Sequence, residues 1–127
     1  MTLEDVLRLT NRNMVLFDLA LGSAAVAAPG PTLRVLGHDE PAPEAAELFR
    51  RCGPIWLTFA AAHAVAARRG DPADWRSLAW LRATEIGTDA LWSRSPGFNR
   101  PSARLALRFA SVSNLAMAAG FAWLSRR

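Results

Sequence analysis

CGPIWLTFAAAHAVAA, Cys52–Ala67, carries no formal charge and lacks the apolar–polar alternation of a half-buried strand. Three more stretches share that character: NMVLFDLALGSAAVAAP (Asn13–Pro29), the segment from Trp75 to Trp92, and Ala103–Leu124 with its charge-free part FASVSNLAMAAGFAWLS. β-branched residues are few in all of them, so the spacing predicts an all-α chain. Punctuation places the helices at about 11–29, 44–68, 73–93 and 102–125. Thr10-Asn11 can start the first, and Ala28-Pro29-Gly30-Pro31 must stop it, because proline has no amide to donate. Pro43-Glu44 opens the second helix with a carboxylate at the positive end of the dipole, and Arg68-Arg69-Gly70 closes it. Asp71-Pro72 starts the third, and Ser93–Ser102, with two prolines, is the last loop. Short connections around Gly70 and Pro96 favour antiparallel neighbours, hence an up-down four-helix bundle in one domain over 1–127.

Fifteen Arg face eleven acids, giving a net charge of +4, and there is no Lys, Tyr or Gln, while Ala makes up about a fifth of the chain. That is the composition a GC-rich bacterial genome writes, so the basic balance reflects codon usage. The arginines form no stripe interleaved with aromatics, and no nucleic-acid partner is expected. A single cysteine, Cys52, excludes an internal disulfide framework and a multi-cysteine metal site. The opening MTLEDVLRLTNRN is acidic and polar, and no cleavable signal peptide is visible.

The charge-free runs fall just short of the roughly 20 residues a spanning helix needs, but their flanks lengthen them. Arg pairs at Arg50-Arg51, Arg68-Arg69 and Arg126-Arg127 lie at segment ends, where long side chains snorkel. Trp56, Trp75, Trp80, Trp92 and Trp123 lie mostly near ends too, as interface anchors do. Small residues four apart (Ala24/Ala28, Ala60/Ala64, Ala83/Gly87, Ala116/Gly120) suit close packing in lipid. Against this, the mean hydropathy is only +0.09. The third segment carries Arg82, Glu85 and Asp89, each costing about 2.5–3.5 kcal/mol at a bilayer centre, so it can span only if its charges face the other helices. The expectation is four transmembrane helices with a polar core, multi-pass in a bacterial inner membrane. Both termini inside is slightly favoured by the arginine distribution. A soluble bundle with an Ala-rich core, or a dimer of one, is the alternative.

WLRATEIGTDALW, Trp80–Trp92, locates the chemistry. At about 100° per residue, Arg82, Glu85 and Asp89 fall within about 60° of one another. Arg82 is within ion-pair reach of Glu85, and Glu85 faces its like-charged neighbour Asp89. Two carboxylates that repel in a low dielectric and share a proton suit general acid catalysis or a proton relay. Asp18, His63, Arg108 and Asn114 (beside Ser111 and Ser113) supply polar groups from the other segments. Each has a plain structural reading as well. Arg82–Glu85 can be an ion pair, Asp18 the counter-charge of Arg108 or Arg82, His63 a hydrogen-bonded core residue, and Asn114 a link between helices. His38, beside Asp39 and Glu40, reads as a solvated turn. No Glu-x-x-His pair, HExxH, P-loop, dinucleotide fingerprint or nucleophile elbow occurs, so neither a metal nor a cofactor is expected.

Ala28-Pro29, Leu36-Gly37-His38-Asp39-Glu40-Pro41, Arg50-Arg51 and Gly53 follow a layout that resembles small uncharacterised bacterial four-helix membrane proteins. In those, an Ala-Pro helix end and a Leu-Gly-x-Asp-x-Pro loop lead through Arg and Gly into the second helix. The resemblance covers about a third of the chain, implies a four-helix membrane architecture and brings no activity. The charged third helix departs from the apolar segments common there.

The expected function is a small integral membrane protein whose intramembrane polar pocket binds a lipophilic small molecule. The chemistry its residues would support on that molecule is acid–base: isomerisation, cyclisation or hydration. Glu85 or Asp89 would be the proton donor, His63 the base or shuttle, and Arg82 the group that tunes them. Asp18, Trp56, Arg108 and Asn114 would contact the ligand. The alternative is a non-catalytic scaffold or partner subunit, packing on a partner or on a second copy of itself.

Overall fold

A computed structural model describes all residues, Met1–Arg127. The chain is all-helical, with α1 (Leu3–Ala27), a short α2 (Pro29–Val35), α3 (Pro43–Arg69), α4 (Pro72–Trp92) and α5 (Pro101–Leu124). Two features depart from expectation. α1 starts about two turns before Asn11, because Thr2 and Asp5 form a capping box. The Thr2 hydroxyl accepts from the Asp5 amide at 3.2 Å and the Asp5 carboxylate accepts from the Thr2 amide at 2.8 Å. Pro29 does end α1, but a proline is also pre-set for the first position of a helix, so α2 begins at the same residue. Gly70 closes α3 at φ 69°, a left-handed cap suited to glycine.

The long helices run antiparallel in sequence order, and they pack as two pairs. α1 lies along α3, with Asn11 opposite His63 and Gly22 against Gly53. α4 lies along α5, with Trp75 stacked on Phe121 and the Ser111 hydroxyl donating to the Ile86 carbonyl at 2.7 Å. The pairs are joined along the α3–α4 seam. α1 and α5 meet near Leu7, whose side chain fills the space a Cβ on Gly120 would need. Further along, the two helices diverge and leave a cleft. One end of the bundle is tied by its loops: His38 packs edge-on against Phe98, and Asp39 pairs with Arg100. That hydrogen bond from Arg100 holds the Asp39 carboxyl below its ordinary range.

Apolar and polar groups are distributed in an unusual way. Leu7, Ala66, Trp75, Leu78, Phe121 and Leu124 form one apolar cluster, and Ala25, Leu33 and Phe49 form a second. Asn11, Asp18, His63, Arg82 and Asn114 are also buried. Meanwhile Leu105 is 68% exposed, and Phe109 and Trp80 each 72%. One ion pair, Asp18–Arg82, thus lies among the buried groups, while large apolar side chains stand on the outer faces of the helices. By length and composition α5 alone qualifies as able to cross a membrane, with a mean hydropathy of 1.3 over its best window.

The α1–α3 contact yields a direct prediction. A Cβ on Gly22 would lie 2.8 Å from the Gly53 carbonyl oxygen and 2.9 Å from Leu57, so Gly22→Ala should cost about 1–3 kcal/mol by overpacking. Gly87 lies inside α4 with nothing within 4 Å of the same position, so Gly87→Ala should stabilise by about 0.5–1 kcal/mol through helix propensity alone. Thermal unfolding of the two variants should therefore shift in opposite directions.

Candidate functional site

One face of α4 presents Arg82, Glu85 and Asp89, and all three line a cavity of about 450 Å³ in the cleft between α1 and α5. Asp18 comes to it from α1, Trp56 from α3, and Ser113 and Asn114 from α5. Trp92, Phe98 and Leu36 line it as well, toward the end tied by the loops. The cavity opens sideways, past Phe17 and Phe109, both of which are exposed.

Of the two ion pairs the sequence offers Arg82, the one across the bundle to Asp18 forms and the one to Glu85 does not. Arg82 is 3% exposed, and its Nη2 pairs with Asp18 Oδ2 on α1. Its Nε donates to His63 Nε2 on α3 at 3.0 Å. A guanidinium can only donate, so His63 Nε2 must be the acceptor, and the ring proton sits on Nδ1. Nδ1 lies 2.5 Å from Asn11 Oδ1, and the Asn11 amide donates to the His63 carbonyl at 3.0 Å. Every group in this chain of contacts therefore has a consistent role: Asp18 accepts, Arg82 donates twice, and His63 relays to Asn11. The network joins α1, α3 and α4. The Arg82 guanidinium also lies over the Phe59 ring, 5.5 Å from its centroid.

Two expected site residues are placed elsewhere. His63 is fully buried behind Arg82 and does not line the cavity, so its link to the cavity runs through the guanidinium. Arg108 is exposed on the outside of α5 and takes no part. Six positions from Asn114 correspond to about 240° of helix rotation, which puts the two on different faces.

Glu85 and Asp89 make no ion pair with the chain. Asp89 accepts from Asn114 Nδ2 at 2.8 Å, which leaves the Asn114 carbonyl oxygen buried and without a partner. Asp18 Oδ1 is in the same condition. Both residues line the cavity, so its polar edge consists chiefly of acceptors over a largely apolar wall. The wall was the part sequence reasoning missed. Met14, Phe17 and Leu21 flank Asp18 at helical spacing, and Ala103, Leu107, Ala110 and Met117 repeat along α5. A stripe of that kind reads as core packing whether it faces a neighbour or a cavity. Asn11 was missed because it was assigned to the start of the first helix.

No protein family, curated protein or solved structure matches this chain.

Proposed function

We propose that the chain is a small integral membrane protein of four spanning helices, and that its laterally open cavity binds a lipophilic small molecule. The observation that carries this reading is a buried polar layer of Asn11, Asp18, His63, Arg82 and Asn114 within a bundle whose outer faces carry Leu105, Phe109 and Trp80. In water such outer faces would be covered by a partner, whereas in lipid they need no cover. The four long helices, of 21 to 27 residues, each reach the roughly 30 Å of a hydrocarbon core at about 1.5 Å per residue. The Ala-Pro and Leu-Gly-x-Asp-x-Pro resemblance agrees with this architecture. Chemistry on the bound molecule would fall to Glu85 and Asp89, one as proton donor and the other as its charged partner. His63 would contribute only by holding Arg82 in place.

A partner-subunit role has one observation in its favour. Gly87 has nothing within 4 Å of the position its Cβ would take, unlike Gly22, Gly53 and Gly120, so its face of α4 is left open for a partner.

The test has two parts. The protein is expected to stay in the membrane pellet through an alkaline carbonate wash. In detergent, compact lipophilic ligands are expected to raise its unfolding midpoint, and Ala110→Trp, which fills the cavity, should abolish the shift. Release by carbonate would favour a soluble or peripheral bundle. A shift that persists in Ala110→Trp would place binding outside the cavity.

A further inference from the structure

Resting on the binding role proposed above, we infer that the ligand is a lipophilic organic cation bearing N–H donors, such as a protonated primary amine on a compact apolar body. The orphaned acceptors point to it. Asp18 Oδ1 and Asn114 Oδ1 belong to residues buried to more than nine-tenths, line the cavity and have no partner, a state that buried polar atoms rarely keep. The Asn114 amide is already committed to Asp89, so only its carbonyl oxygen remains to be satisfied. Glu85 and Asp89 add two carboxylates that form no ion pair with the chain. Arg82, the one guanidinium in the lining, has its Nε and Nη2 engaged by His63 and Asp18, and it stands against three carboxyl groups there, Asp18, Glu85 and Asp89.

An anion would meet three carboxyl groups against one guanidinium, and a ligand lacking donors would leave the buried oxygens orphaned. An ammonium group satisfies both needs with charge-assisted hydrogen bonds. The rings of Trp56, Trp92 and Phe98 in the same wall suit a cation near their faces. A bare metal ion is poorly served, because no three His, Cys, Asp or Glu side chains converge to hold one. A zwitterionic lipid headgroup would bring a phosphate into a lining where carboxyl groups outnumber the single guanidinium. The favoured source is therefore a free amine.

The experiment uses three probes with one body and three charges: 1-adamantylammonium, 1-adamantanol and 1-adamantanecarboxylate. Each is titrated calorimetrically into the full-length protein in an uncharged detergent. The ammonium is expected to bind at least about tenfold more tightly than the alcohol, and the carboxylate to bind least. In Glu85→Gln/Asp89→Asn the preference for ammonium over alcohol should disappear while the alcohol still binds. Neither carboxylate neutralises a buried cation, so the variant should fold; if it does not, the two single variants carry the same comparison.

Equal affinity for ammonium and alcohol, or a preference that survives in the variants, overturns the inference and leaves the cavity a binder of lipophilic molecules. If none of the three binds, and Ala110→Trp behaves like the parent protein, the binding role falls and this inference with it. Repeating the ammonium titration in phosphatidylcholine discs with and without phosphatidylethanolamine separates the sources. Unchanged affinity supports a free amine, and competition by the aminolipid overturns it.

Discussion

Arg82→Met is expected to be the most damaging single substitution in the chain, lowering stability by about 3–5 kcal/mol. Asp18 is fully buried and Arg82 nearly so, and the variant leaves the Asp18 carboxylate inside the bundle without its counter-charge. His63 Nε2 and the face of Phe59 lose their partner at the same time. The cost comes mainly from stranding the second charge, so removing both should restore much of it. Asp18→Leu/Arg82→Met is expected to be considerably more stable than Arg82→Met alone, because exchange of a whole buried pair for apolar groups of similar volume is often close to neutral. Equilibrium unfolding of the parent, both single variants and the double variant closes the cycle. Arg108→Met, on the exposed side of α5, provides the comparison and should shift little. An Arg82→Met midpoint close to that of Arg108→Met would mean that the pair does not hold the helices together.

His63→Leu is the next largest effect, at about 2–4 kcal/mol, since it removes the acceptor for Arg82 Nε and the donor for Asn11 Oδ1 together. His63→Gln separates positioning from catalysis. A glutamine carries one acceptor and one donor group, as the neutral imidazole does, and it should recover at least half of the loss. It cannot act as a base. If His63 positions Arg82, His63→Gln retains the ligand-induced shift in unfolding midpoint and any turnover that accompanies it. If turnover disappears while stability and binding persist, the imidazole is itself a proton carrier despite its position behind the guanidinium.

Much of the architecture was legible because charge-free runs such as Cys52–Ala67, with no strand-like alternation, leave few alternatives to a helix. The start of α1 was misplaced although Leu3, Val6 and Leu7 stand at helical spacing in and after the Thr-x-x-Asp box, because the charged residues between them gave the run a polar character. The stripe of Arg82, Glu85 and Asp89 followed from helix geometry alone. Its pairing was legible only as alternatives: spacing within the helix offered Glu85, and Asp18, 64 residues away, was a counter-charge for either Arg82 or Arg108 until the packing of the bundle placed it against Arg82. Arg108 could have been excluded by the same rotation arithmetic applied to Asn114. His63 marked a real polar layer, but nothing in FAAAHAVA says whether the imidazole faces the cavity or the α3–α4 seam.

The distance along the chain between Asp18 and Arg82 has a consequence for biosynthesis. The carboxylate of α1 is translated 64 residues before the guanidinium that neutralises it. α1 and α3 can close on each other early, through Gly22 and Gly53, but the resulting hairpin is electrically incomplete. A nascent chain cut short before α4 carries an acid with no counter-ion in what should be a sealed interior. For a chain inserted in lipid, that unmatched charge distinguishes a fragment from a finished protein, and it is a defect that quality-control proteases can read.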